Sequence, residues 1–226
     1  METCGTNKIG ILGGIGPEAT GIFYSKLIQK FQRDESIQSN KDFPHIFINS
    51  IPAPELVFGE ISEDELKPYI EGLKELDDFK PYFIVMVCNT IHLFYDRLQK
   101  EIQTPILDLR EVMRNYLSRE GIESVLVLGT PSTMKSGLYN FEEIKTVLLT
   151  EEQIDKISKT IFKFNKGADV GGRIENLKDI CREYLDEVDS VILGCTELGI
   201  MLNNVDFPSI NTIDVLVEET IDNLEE

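Results

Sequence analysis

IGILGGIGPEATGIFY, from Ile9 to Tyr24, and SVLVLGTPSTMKSGLY, from Ser124 to Tyr139, align without a gap and pair Gly14 with Gly129 and Tyr24 with Tyr139. Each is a short apolar run, a glycine-containing turn and the start of a helical pattern, the order of a buried parallel strand that leaves its sheet through a helix. Outward from these two stretches the same succession of elements runs twice. The first half predicts a helix from Ala19 to Arg33, a strand Pro44–Ile51, the proline-interrupted IPAPEL, and a helix Ser62–Phe79 opened by a serine cap with Glu65 three residues on. A strand Tyr82–Val87, a helix to Glu101, a short strand Ile106–Leu109 and a helix to Arg119 follow. The second half predicts a strand Lys145–Leu149, helices Glu151–Lys166 and Arg173–Glu187, a strand Ser190–Leu193, a stretch Pro208–Ile213 that mirrors Pro105–Leu109, and a last helix Asp214–Leu224.

Repeated halves of about a hundred residues indicate a duplicated supersecondary unit. The expectation is an α/β protein of two similar doubly wound parallel-sheet domains with the active site in the cleft between them. Residues 1–104 plus 209–226 are expected to form the first domain, with the C-terminal helix returning to it, and residues 105–208 the second.

Each half delivers one cysteine at the same place, where an apolar strand gives way to a threonine: VMVCNTIH (Val85–His92) and ILGCTELG (Ile192–Gly199). Taken singly, a free cysteine is most often a small buried residue. Matching positions in a duplicated fold favour a shared role instead. A thiol beside a helix N-terminus has its pKa lowered, so Cys88 and Cys195 are expected to be partly thiolate near neutral pH. Two thiols across a cleft can take a proton from one face of a carbon and return one to the other, the chemistry of a racemase or epimerase. Gly14, Asn49, Asn89, Thr90, Thr130 and Thr196, at the strand ends and turns, are candidate substrate-binding residues. His92 and Glu197, near their respective cysteines, are candidates for tuning the thiols.

The 226 residues carry 40 acidic against 22 basic side chains, a net charge of -18, which repels nucleic acid and anionic lipid. No apolar stretch approaches the ~20 residues needed to span a bilayer, and METCGTNK lacks the pattern of a secretory signal, so a cytoplasmic location is expected. Cys88 and His92 share i, i+4 spacing, but no second pair completes a metal site, and none is expected. Cys181, inside a helix without a matching partner, and Cys4, near the amino terminus, are read as structural or incidental. GGIGPEA satisfies a loose dinucleotide fingerprint, yet Pro17 removes an N–H from the turn and the second strand ends in Asn49 and Ser50 without an acidic residue.

GGIGPEAT, CNTIH, GTPSTMKSGLY and GCTEL, in this order over nearly the whole chain, resemble the cofactor-independent aspartate/glutamate racemases. The resemblance implies an acid/base pair at Cys88 and Cys195, no cofactor, a small amino-acid or dicarboxylate substrate, and a homodimer. It implies an α-carboxylate site from Asn89, Thr90 and Thr130, and a lysine for the distal carboxylate of aspartate or glutamate at Lys166. It also implies an arginine after the second strand, where this chain has Leu56. Related chemistries with one cysteine as nucleophile or proton donor, maleate isomerisation or decarboxylation, are the nearest alternatives, and a non-catalytic amino-acid-binding protein is a third.

Overall fold

The apolar runs become strands because both faces of each are covered. Every residue of β3 (Phe83–Met86) and β6 (Ser190–Gly194) is buried, as are the last five of β1 (Lys8–Gly13) and β4 (Ser124–Gly129). A computed structural model describes residues 8–33, 37–54, 56 and 61–225; Cys4 and residues 34–36 lie outside them. With β2 (His45–Ser50), β5 (Lys145–Val147) and β7 (Ser209–Asn211), the strands form two wholly parallel sheets of order β2-β1-β3 and β5-β4-β6-β7.

The first sheet has a fourth position in reduced form. Ile84 donates to Pro105 O and accepts from Leu107 N, both at 2.8 Å, but the strand expected over Ile106–Leu109 stops after this one bridge. Asp108 ends it by accepting from Arg110 N at 3.0 Å and opening the next helix. Pro105 therefore belongs to the first sheet and Ser209–Asn211 to the second, so the boundaries expected at 104/105 and 208/209 each divide a sheet.

Helices α1 (Pro17–Arg33) and α2 (Glu63–Asp77) follow β1 and β2. In α2, Ser62 and Glu65 close the expected capping box, with Ser62 N donating to Glu65 Oε2 at 2.8 Å. After Cys88 the chain makes a 3-10 turn over Thr90–Phe94 and then a short α3 (Tyr95–Gln99) in place of one continuous helix. α4 (Leu109–Arg119) closes the half. The second half supplies α5 (Pro131–Lys135), α6 (Glu151–Asn165), α7 (Gly171–Arg182), α8 (Thr196–Met201) and α9 (Thr212–Glu225). α9 packs on α1 and α4, and Phe23, Leu27, Val112, Met113, Leu216 and Ile221 share one core with β1 and β4. Each such side chain, fully buried, contributes roughly 1.5–3 kcal/mol.

The duplication has a different register from the ungapped alignment. β1 ends at Gly13 and β4 at Gly129, and the helices after them open on Pro17 and Pro131. Gly13 and Gly129 are the corresponding residues, each lying under a threonine: a Cβ would come 2.3 Å from Thr20 Cγ2 at Gly13 and 3.0 Å from Thr133 Cγ2 at Gly129. The first turn, Gly14-Ile15-Gly16, is thus longer than its counterpart, the single residue Thr130. Gly14 at φ +83° and Gly16 at φ +94° make that longer turn possible.

Candidate active site

The ends of β1, β3, β4 and β6 converge on one cleft of about 490 Å³, and both cysteines line it. Cys88 enters from the first half and Cys195 from the second, at the strand ends where parallel sheets place ligands. Gly14, Asn89, Thr90, Thr130, Thr196 and Glu197 line the same cleft, so most of the candidates chosen from the sequence come together.

Neither thiol is ionised in the free protein. Burial pushes Cys88 up to about 12, against the opposing N–H groups of Ile91 and Thr90 and the Thr90 hydroxyl, which favour its thiolate. Burial also raises Cys195 well above the ordinary thiol range, and Glu197 adds to this by charge and by hydrogen bond. Cys195 Sγ donates to Glu197 Oε2 at 2.8 Å, and Thr196 donates to the same oxygen at 3.0 Å. The partly ionised thiols expected from the strand-to-helix turns are therefore absent, because desolvation outweighs the few free N–H groups nearby.

Glu197 is itself buried, and its carboxylate lies against the first turn, where a Cβ on Gly16 would stand 2.6 Å from Oε1. Gly14 is equally constrained: Ile51 N donates to Gly13 O at 3.1 Å, and a Cβ on Gly14 would fall 2.1 Å from Ile51 O. Two turns of the first half are thus fastened together at the mouth of the cleft.

Polar groups knit the halves across the floor. Tyr139 donates its hydroxyl to Asn89 Oδ1, and Asn89 Nδ2 donates to Thr212 Oγ1 at 3.0 Å. All three side chains are buried, so the amide of Asn89 is held in one orientation, with its second N–H uncommitted among the described residues. Thr90 Oγ1 lies 3.0 Å from both Thr130 Oγ1 and Thr133 Oγ1, and Thr130 donates to Thr133 at 3.1 Å, closing a ring of three buried hydroxyls. Thr130 also caps α5, accepting from Thr133 N at 3.1 Å.

Three candidates lie elsewhere. Asn49 turns to the outer side of β2, where Nδ2 donates to Gly72 O at 3.1 Å and Glu75 Oε2 at 2.7 Å. His92 is fully buried behind the cleft, with Nε2 3.4 Å from Met86 O and Nδ1 3.9 Å from Asp108 Oδ1. Burial lowers its pKa to about 4, only partly offset by Asp108, so it is neutral at physiological pH and forms no ion pair there. Lys166 caps α6 between the lining residues Asn165 and Gly167, but its ammonium sits over the Phe162 ring, 5.1 Å from the centroid.

The sequence reading missed Thr133, Tyr139 and Thr212, and also the walls formed by Ile15, Ile51 and Phe164. Thr130 and Thr133 have the spacing of a cap and its N3 position, which marks the helix start but says nothing of Thr90, distant in sequence. Among the described residues, no group of three or more His, Cys, Asp or Glu side chains could hold a metal ion. No described helix is long and apolar enough to cross a membrane.

The model of a protein family described as Asp/Glu/Hydantoin racemase matches residues 12–220. The broad specificity amino-acid racemase RacX of Bacillus subtilis (strain 168) is 28% identical over 222 residues, 94% of this chain and 96% of that protein. Among solved structures, the aspartate racemase of Picrophilus torridus superposes with a TM-score of 0.80 at 25% identity, over 97% of this chain and 94% of that one. The glutamate racemase of Francisella tularensis in complex with D-glutamate shares the fold with a TM-score of 0.63 at 20% identity, over 97% of this chain and 81% of that one.

Proposed function

Because the chain belongs to the Asp/Glu/hydantoin racemase family, we propose that it racemises a free amino acid by passing the Cα proton between Cys88 and Cys195, without a cofactor. The observation that carries this reading is the pair of thiols at equivalent strand ends of the two halves, lining one cleft.

The substrate's α-carbon lies between the sulfurs. In one direction Cys195 passes its proton to Glu197 across 2.8 Å and takes the Cα proton. The electron pair of the broken C–H bond moves into the carboxylate, and the thiol of Cys88 returns a proton to the opposite face. In the other direction Cys88 gives its own proton to solvent as substrate enters and is the base, the N–H groups of Thr90 and Ile91 with the Thr90 hydroxyl stabilise its thiolate, and the thiol of Cys195 returns a proton to the opposite face. The substrate ammonium brings a positive charge into a buried site, which favours whichever thiolate forms. The second N–H of Asn89 and the Thr90 hydroxyl are donors for the developing enediolate, where donors in dry surroundings act most strongly, and the hydroxyls of Thr130 and Thr196 join them on turning away from Thr133 and Glu197. Aspartate and glutamate, the substrates that the family resemblance implies, also need a cation for their second carboxylate. The resemblance gives that role to Lys166, which caps α6 with its ammonium over the Phe162 ring.

The test is incubation of single enantiomers of aspartate, glutamate, leucine, methionine and lysine in D2O, with Cα followed by NMR and enantiomers separated by chiral chromatography. Wild-type protein should place solvent deuterium at Cα of the inverted product. Cys88→Ala and Cys195→Ala should each abolish inversion from either enantiomer. Inversion that survives in one of them removes the two-thiol reading.

A further inference from the structure

We infer that the cleft accepts an amino acid with an uncharged, apolar side chain of leucine or methionine size rather than a second carboxylate; this rests on the racemase reading above. The cleft wall away from the threonine hydroxyls is built from Ile15, Ile51, Ala53, Pro54, Leu56 and Phe164. Ile15, Ile51 and Leu56 are buried and belong to the same apolar cluster as Cys88, so this wall is an extension of the first half's core. Among the described residues that line the cleft there is no lysine or arginine; the charged ones are Glu18 and Glu197, both acidic.

The backbone of this wall is also poor in donors. Pro52 and Pro54 have no N–H, and Ala53 gives its own to Ile51 O at 2.9 Å. Tyr69, buried, donates to Pro54 O at 2.6 Å and holds the stretch in place. On the other side Phe164, Asn165 and Gly167 bring the C-terminal end of α6 to the cleft, the end whose carbonyls carry negative partial charge. A carboxylate placed here would lose water and meet two carboxylates and a helix C-terminus, whereas a methylene chain would meet carbon. Glu18 is exposed, so its attraction for a cationic side chain is screened, and the apolar wall decides. Alanine would leave most of the wall unfilled.

The experiment measures kcat/KM on the purified full chain for leucine, methionine, aspartate, glutamate and lysine, with Cα exchange in D2O as a parallel readout. Leucine and methionine should exceed aspartate and glutamate by at least tenfold. Ala53→Arg, at a partly exposed wall position, should shift the aspartate-to-leucine ratio at least tenfold toward aspartate, and Leu56→Arg should do the same if it folds. Preference for aspartate or glutamate in the wild type, or an unchanged ratio in folded Ala53→Arg, overturns the inference and leaves the racemase reading intact. Preference for lysine over leucine and methionine by tenfold also overturns it. Absence of both exchange and inversion with every amino acid removes the racemase reading, and the inference with it.

Discussion

Lowering the pH from 7.5 to 5.0 should remove about 2 kcal/mol more folding stability from the wild-type protein than from a His92→Gln variant. The imidazole of His92 is fully buried, and burial holds its pKa down at about 4, with Asp108 opposing and Arg110 reinforcing that shift. In the unfolded chain it returns to about 6.5. Between those values the unfolded state binds a proton that the native state refuses, so stability rises with pH and is lost as pH falls from 6.5 toward 4. Over the chosen range the two binding curves integrate to about 2 kcal/mol, or roughly 4–8 °C in Tm for a chain of this size. Stopping at pH 5.0 avoids carboxylates such as Asp77, held low by hydrogen bonds from Thr104 and Gln103 against desolvation, whose contribution is lost at lower pH. His45, the other histidine, is exposed on β2 and present in both proteins, so it drops out of the comparison. Glutamine is uncharged and can still donate to Met86 O. The assay is urea unfolding of both proteins at both pH values. A difference of differences below ~0.5 kcal/mol would refute the reasoning, since it would mean that burial does not hold His92 neutral.

Tyr139→Phe should cost ~1–3 kcal/mol in urea unfolding, because it leaves the buried Asn89 Oδ1 without its donor; no measurable change would show that this hydrogen bond does not hold the amide. Burial pushes Cys88 up to about 12, so its alkylation by iodoacetamide at pH 8, read by peptide mass spectrometry, should run at least about a hundredfold slower in the native than in the denatured protein, and equal rates would refute the burial of this thiol. Gly14→Ala should destabilise by at least ~1–3 kcal/mol from its φ of +83° alone, and further through the contact with Ile51 O. Gly21→Ala, on α1 with open space around its Cβ position, should stabilise by ~0.5–1 kcal/mol, both glycine variants being read by urea unfolding.

Continuous apolar runs and caps make the strands and helix starts legible in the sequence, since a parallel strand must bury both faces and Ser62 with Glu65 can close a capping box only at a helix start. The two cysteines were legible for the same reason: a duplicated strand end repeats its residue type. The environment of the thiols was not, because free N–H groups are visible in a local pattern whereas desolvation is set by everything that packs around the site. Asn49 shows a second limit. Adjacent residues of a strand face opposite sides, so a residue near the strand end can lie on the outer face, and here it meets Gly72 and Glu75 of α2. Thr90 and Thr133 meet only because the halves face each other, a contact that no spacing within either half encodes.

The three threonine hydroxyls each have one proton to give, and with Thr130 donating to Thr133 the circuit closes as Thr133 gives to Thr90 and Thr90 to Thr130. A hydroxyl drawn out of the circuit by a ligand can present its proton or its lone pair, at the cost of rotations about C–O bonds alone. The wall can therefore hand a proton to a ligand oxygen without moving a heavy atom, and both enantiomers of an amino acid offer it the same accepting carboxylate.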